Sequence, residues 1–450
     1  MAHRLLFPIR CRGKNDGKGA RLHVAVCCLV AMELAPLYAQ NGRTPASSSA
    51  PVDASEAKQQ PGIFRPSWRE NLESKGITIA LEDIYDFQGN PTGGRTQMGT
   101  VFGRSTGSMT LDLQKLLSWQ GGTVIVSGIF ETGSDLATTY IGSWDFTSSI
   151  AGPHTLRFNE WYLQQKLFSE KVTLRMGQIA AQNEFDNQAI GFDDQAAAFK
   201  TWVNNSLCCN VPTTIQAYAS FTPAGKPGLY IRGDPGKHIF YKLAVFSAPH
   251  SPFVGDPSGI RFDLRNAPDE ASTLGYFQGG EADAHPGVYK IGQIHNFGHF
   301  NSLITHKPSH GNDEYFADVG QALWRRKIDG HYTHQEVDFQ FSISATPRRL
   351  NVNDWETLAG IRLVGLTYRR PADIVALGVI NSHFSRNYSQ ALAQAGQPDR
   401  DSQTTMEFGY KFVLRRWISL WPDFQYIWKP SGDKRLGDAP VLALRLVFDH

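Results

Sequence analysis

The stretch from Glu336 to Ser344, EVDFQFSIS, alternates without a break. Val337, Phe339, Phe341 and Ile343 fall on one parity, and Glu336, Asp338, Gln340 and Ser342 on the other. Neighbouring side chains of a β-strand point to opposite faces, so this is a strand with one apolar and one polar face. Four further stretches repeat the pattern. EFGYKFVLR sets Phe408, Tyr410, Phe412 and Leu414 against Glu407, Gly409, Lys411 and Arg415, with Val413 the exception. DFQYIW sets Phe424, Tyr426 and Trp428 against Asp423 and Gln425. VLALRLVF sets Leu442, Leu444, Leu446 and Phe448 against Val441, Ala443 and Arg445, and VTLRMGQ sets Val172, Leu174 and Met176 against Thr173, Arg175 and Gly177.

The sheets of a soluble sandwich alternate as well. Two features favour a barrel wall in lipid. Aromatics gather on the apolar parity near strand ends (Tyr410, Trp417, Trp421, Tyr426, Trp428), as an interfacial girdle requires, and the alternation reaches the last strand, as closure requires. A mean hydropathy of −0.32 argues against a bundle of membrane helices but suits alternating faces. The fold class expected is therefore all-β, a transmembrane antiparallel β-barrel, and sixteen strands would fit its length. About 410 residues after export leave about 26 per strand and connection, room for short turns on one side and longer loops on the other. One segment resists. Glu160 shares the parity of Leu156, Phe158 and Tyr162, so a bulge or strand end must intervene if it faces water.

The first residues read as an export signal. A basic region from Arg4 to Arg21 precedes the apolar run Leu22 to Met32, which is too short to span a bilayer. Residues 1–39 are expected to be a signal peptide. Asn41 to Gly62 is rich in Ser, Ala, Pro and charge, so 40–70 is expected to be a disordered leader. Strand signals recur from Ile77 to the end without a second break in composition, giving one barrel domain over 71–450. Of the five cysteines, only the vicinal pair Cys208 and Cys209 would survive export. A vicinal pair cannot brace a fold; a strained local disulfide and a plain surface loop are both compatible with it.

Little here supports catalysis or cofactor binding. The formal net charge of +2 gives no electrostatic case for nucleic acid. Gly103 to Gly107 matches the nucleophile-elbow spacing, but SMTLDLQ after it reads as strand where the elbow needs a helix. His295 with His299, and His331 with His334, have ligand-like spacing in Gly- and Asn-rich stretches that read as loops. Asp193-Asp194 is a weak candidate for a carboxylate pair. No catalytic residue, metal or cofactor is assigned.

The polar parity offers a different chemistry. Arg175, Glu336, Asp338, Glu407, Lys411, Asp423, Gln425 and Arg445 would face the lumen. Carboxylates accept hydroxyl protons and guanidinium offers a planar fork of donors, so mixed charge suits a neutral polyol. A ring of one sign would select ions instead.

Five stretches, in order, resemble the carbohydrate-selective porin family of Gram-negative bacteria, the OprB type, over Leu72 to Phe448. They are KGITIALEDIYDFQGNPTGG (75–94), LDLQKLLSWQGG (111–122), RFNEWYLQQKLFSEKVTLRMGQIAAQNEF (157–185), GIRLVGLTYRRPADIVALGVINS (360–382) and EFGYKFVLRRWISLWPDFQYIWKPSG (407–432). The resemblance implies a sixteen-stranded outer-membrane barrel, usually monomeric, that admits glucose and related sugars through a constriction of arginines and acidic residues. By position, Glu160 and Arg175 with Gly177-Gln178 match the family's strand pair. Arg370 and Asp373 match its turn region, and Pro422-Asp423 with Gln425 its C-terminal stretch. Expected partners are small carbohydrates, outer-membrane lipid and lipopolysaccharide, and the barrel-assembly machinery. Asp449 and His450 follow Phe448, whereas such barrels commonly end on an aromatic residue. The rival readings are a nonselective or organic-acid porin and, from another class, a secreted sugar-binding or sugar-cleaving β-protein.

Overall fold

The computed structural model describes residues 67–185, 189, 201–204, 207, 224–247, 256–280 and 282–449. The expected signal peptide, the leader up to residue 66, Cys208, Cys209 and Asp193-Asp194 lie outside the described residues. Helix α1 (Ser67–Ser74) straddles the expected boundary between leader and barrel, and Arg69 Nη2 ties it to the wall by donating to Ile79 O at 2.7 Å.

The strands are β1 (Ile77–Asn90), β2 (Met98–Asp112), β3 (Gly122–Gly133), β4 (Thr155–Leu167), β5 (Val172–Ile179), β6 (Lys226–Gly233), β7 (Ile239–Ser247) and β8 (Pro268–Gln278). They continue as β9 (Gly287–Asn301), β10 (Pro308–Ile328), β11 (His331–Ala345), β12 (Asn353–Val364), β13 (Ile374–Phe384), β14 (Ser402–Arg415), β15 (Ile418–Trp428) and β16 (Ala439–Asp449). Each pairs with its sequence neighbours, and β1 pairs antiparallel with β16 from Glu82↔Asp449 to Gly89↔Leu442. The sheet closes as a sixteen-stranded barrel. Closure leaves no edge with unpaired N–H and C=O groups, which is the condition for a sheet to sit in lipid.

Connections differ sharply between the two ends. One end carries 134–154, 180–225, 248–267 and 385–401; the other carries 168–171, 234–238, 329–330 and 416–417. In outer-membrane barrels the short turns are periplasmic and the long loops extracellular. Short helices lie in these connections: α2 (Leu113–Leu117), α3 (Gln182–Phe185) and α4 (Arg386–Gln394). Asp112 caps α2 by accepting from Gln114 N, and Ser385 caps α4 by accepting from Tyr388 N.

Alternation along the strands becomes inside and outside. On β16, Leu442 is 58% exposed on the outer surface while Ala443 and Arg445 are buried on the lumen side. The β11 stretch behaves in the same way, with Asp338, Gln340 and Ser342 inward. At Glu160 the parity conflict is resolved by a bulge. Ser127 pairs with Glu160 and Gly128 with Phe158, so Asn159 is the extra residue. Leu156 and Phe158 therefore turn outward, while Glu160 and Tyr162 turn inward.

Two sequence expectations are corrected, and a third is kept. Trp421 is not in the outer girdle: it is 1% exposed on the lumen parity of β15, where Leu420 and Pro422 take the outward positions. Gly409 on the paired strand makes room for it, since a Cβ there would lie 2.8 Å from Trp421 Nε1. His295 and His299 lie on β9, and His331 and His334 on β11, rather than in loops. The 103–107 stretch lies wholly inside β2, so no strand–turn–helix elbow presents Ser105.

Candidate functional site: the lumen wall and its inward loops

Strands β14, β15, β16 and β1 turn Glu407, Asp423, Gln425, Arg445 and Asp86 to the lumen side. Parts of two long connections cover them. The Glu407 carboxylate accepts the backbone N–H of Val203 at 2.7 Å and of Asn204 at 2.9 Å. Gln425 accepts from Asn204 Nδ2 at 2.9 Å and donates to Thr147 O at 2.8 Å and to Asp423 Oδ1 at 3.0 Å. Arg445 donates to Asp86 Oδ1 at 2.7 Å and Oδ2 at 2.6 Å, to Ser149 Oγ at 3.0 Å and to Trp202 O at 3.3 Å. These wall groups hold loops. They were expected to meet lumen water directly, and the structure buries them under residues 145–150 and 201–204.

The β3–β4 connection is seated further by Asp145. It accepts from Ser382 Oγ at 3.0 Å, Gln403 Nε2 at 2.8 Å and Thr405 Oγ1 at 3.2 Å, from strands β13 and β14. Trp144 packs edge-on against Phe384, centroids 5.0 Å apart. The β5–β6 connection inserts Trp202 and Leu207 where the wall has no side chain. A Cβ at Gly378 would meet Leu207 Cδ2 at 2.8 Å and Trp202 Cη2 at 2.9 Å, and one at Gly360 would meet Trp202 Cζ2 at 2.9 Å.

Arg175 points inward as the Arg445 group does, but from β5, five strands round the wall from β16. It pairs with Glu184 of α3, donates to Gln164 Oε1 at 2.8 Å and faces the Tyr162 and Tyr230 rings at 5.2 and 5.1 Å. Phe185, next to Glu184, packs with Tyr230 and Phe246 in an apolar cluster inside the barrel. Glu160 accepts from Ala180 N at 3.0 Å and Asn183 Nδ2 at 3.1 Å, so it anchors the root of the same connection. Lys411 faces inward, half-buried, with Nζ 5.3 Å from the Trp421 ring.

A third inward group lies on β10 to β12. Arg362 donates to Asp338 Oδ2 at 2.6 and 3.0 Å and to Glu336 Oε1 at 3.2 Å, and Arg325 Nε lies 3.4 Å from Glu336 Oε2. Lys290 meets Asp318 at 3.2 Å, and Arg104 pairs with Glu131. Opposite charges thus sit side by side on adjacent strands around the wall.

Three residues carried over by resemblance stand elsewhere. Gln178 pairs in register with Trp161 on the outward parity of Met176, and its Nε2 donates to Gly259 O at 3.0 Å. Arg370 and Asp373 lie in the short 365–373 turn. They bind each other at 3.0 Å, while Asp373 Oδ2 accepts from Tyr410 OH at 2.9 Å and Arg370 lies 5.6 Å from the Phe412 ring. Tyr410 and Phe412 are on the outward parity, so this pair ties a turn to the outer aromatics and does not line the lumen. Sequence reasoning missed Asp86, although DIYDFQ alternates visibly, with Tyr85 and Phe87 opposing Asp86 and Gln88. Arg362 was missed because Ile361 and Leu363 beside it sit in a run without clean alternation. Among the described residues, no group of three or more His, Cys, Asp or Glu side chains could hold a metal ion.

A closed sixteen-stranded wall, apolar outside and charged inside with loops turned into its lumen, defines a porin. The chain belongs to the carbohydrate-selective porin family, OprB, whose family pattern matches residues 97–449. It is 21% identical over 432 residues to a protein named "Putative porin QuiX" of Acinetobacter baylyi, covering 84% of this chain and 91% of that one. Its fold matches the high-pH structure of Pseudomonas putida OprB with a TM-score of 0.77 at 17% identity, over 85% of this chain and 96% of the other. A Salmonella typhi OmpF structure in complex with daunomycin matches with a TM-score of 0.50 at 7% identity, over 83% and 99%. Family and fold are those of an outer-membrane sugar porin, a channel rather than an enzyme.

Proposed function

We propose that the protein is a passive channel for monosaccharides such as glucose, driven only by the solute gradient. The observation that carries this reading is the pairing of opposite charges along the lumen wall: Arg362 with Glu336 and Asp338, Lys290 with Asp318, and Arg104 with Glu131. A wall of neutralised pairs has no net field to reject or trap a neutral solute, yet it presents donors and acceptors to hydroxyls. Of these residues, Arg362 retains the most exposure, and together with its partner Glu336 it is the proposed sugar contact. Arg175 and Glu407 act one step back, by holding the inward loops. In this reading the chain is exported by residues 1–39, inserted by the barrel-assembly machinery among lipopolysaccharide, and works as a single barrel.

The test is liposome swelling across a panel of sugars, together with single-channel conductance in planar bilayers. Conductance should fall as glucose is added, and less so in Arg362→Ala. Swelling and conductance indifferent to every sugar would leave a generic pore.

A further inference from the structure

The β7–β8 connection contains Ile260-Arg261-Phe262-Asp263-Leu264-Arg265, a segment outside any helix or strand that the lumen does not use. Its apolar residues occupy alternate positions and are uncovered in the isolated chain: Ile260 is 59% exposed, Phe262 46% and Leu264 67%. The residues between them are charged. Asp263 Oδ2 lies 2.7 Å from Arg265 Nη2 and 3.2 Å from Arg261 Nη2, so two guanidinium groups share one carboxylate. Hydrogen bonds from Arg265 hold the Asp263 carboxyl well below the usual carboxylate range, so it stays ionised beside the two guanidinium groups.

The segment is fixed to the rim of the wall, along the edge of β4 beyond the end of β5, and turns its apolar side chains outward. Gly259 O accepts from Trp161 Nε1 at 3.1 Å and Gln178 Nε2 at 3.0 Å, and Phe158 N donates to Ser258 O at 2.9 Å. The Phe262 ring lies 5.6 Å from the Trp161 ring. Trp161, Gln178 and Phe158 belong to the outward parity of β4 and β5, together with the exposed Leu156 and Met176. The three apolar residues are thus continuous with the lipid-facing belt, at the end of the barrel that bears the long loops. Exposed large apolar side chains in a row are costly in water and favourable at a membrane interface, where flanking arginines meet phosphate.

We propose that residues 260–265 are a lipid anchor in the outer leaflet, with Ile260, Phe262 and Leu264 in the acyl layer and Arg261 and Arg265 at the lipid phosphates. The proposal rests on the outer-membrane reading of the barrel. It is tested by placing a nitroxide at each position from 260 to 265, in the exported chain with Cys208 and Cys209 replaced by Ser, reconstituted with lipopolysaccharide in the outer leaflet. Positions 260, 262 and 264 should be more accessible to oxygen, which concentrates in acyl chains, than to a water-soluble nickel chelate; 261, 263 and 265 should show the reverse. Labels at 442 and 443 are the control, since the first faces the belt and the second the lumen. If that control alternates and the 260–265 series meets the chelate uniformly, the anchor is overturned. Labels at 260, 262 and 264 shielded from both reagents would also overturn it, because they would be covered by protein. Failure of the control would sink the membrane reading and the anchor with it.

Discussion

Arg445 of β16 and Asp86 of β1 are register partners across the seam that closes the barrel, joined by two hydrogen bonds of 2.6 and 2.7 Å with both side chains out of solvent. Removing one member strands the other. Asp86→Ala should destabilise the folded barrel by about 3–5 kcal/mol, because the Arg445 guanidinium loses its counter-charge in a dry site. Asp86→Ala combined with Arg445→Met should cost less than Asp86→Ala alone. Denaturant unfolding in lipid vesicles measures both, and equal costs would mean that the pair contributes little.

The outer face makes a separate prediction. Leu444 points to lipid near the middle of β16, so Leu444→Arg should cost about 2–4 kcal/mol. Parity alone predicts that Arg445→Leu is milder. The structure reverses that order, since Arg445→Leu leaves the buried Asp86 with the Ser148 hydroxyl still donating to it but without the Arg445 charge, and should cost about 3–5 kcal/mol. Lys411→Met is the fairer lumen control, because Lys411 is half-buried and its contact with the Trp421 ring is worth about 0.5–2 kcal/mol.

These contrasts show what the sequence makes legible. Alternation in stretches such as 336–344 and 441–448 settled strand, face and closure, because a half-lipid, half-water wall forces period two. The girdle argument placed Trp421 wrongly: its ring chemistry suits an interface, but the period-two parity it shares with Asp423 and Gln425 turns it inward. Glu407, Asp423, Gln425 and Arg445 were correctly turned inward, but nothing local to them announces Val203, Asn204 or Thr147. Those partners lie more than two hundred residues away in loops without periodicity. Gln178, Arg370 and Asp373 show the converse limit. Matching a stretch by position carries over residue type, whereas the side of the wall is decided by register, and at 365–373 by a turn.

Gly378 tests whether the inward β5–β6 connection narrows the lumen. Any side chain at this position collides with Trp202 and Leu207, neither of which can move into the wall. Gly378→Val should therefore unseat Trp202 and Leu207 at a stability cost of about 1–3 kcal/mol while leaving the strand intact. Single-channel conductance should rise, and the glucose-dependent fall should weaken. Unchanged conductance in a variant that keeps heat-modifiable migration would show that this loop does not set the bore.

Asp433 makes a pH prediction at the long-loop end. It accepts from Arg435 through N and Nε at 3.0 Å and lies 2.9 Å from Arg400 Nη1, joining the β15–β16 connection to the β13–β14 connection. Hydrogen bonds from Arg435 lower its carboxyl to about 2 from an ordinary 3.8. A lowered carboxyl stabilises the folded form above its ordinary value, and that contribution is lost as pH falls through the folded one. The tie should therefore hold at pH 4 and open progressively as pH approaches 2. Pepsin, active across that window, should cut the 429–438 connection of the native protein much faster at pH 2 than at pH 4. Asp433→Asn lacks the ionised carboxylate at either pH and should be cut readily at both. Native protein cut equally at the two values, once the enzyme's own pH dependence is corrected with an unfolded substrate, would show that the arginines do not hold the loop through Asp433.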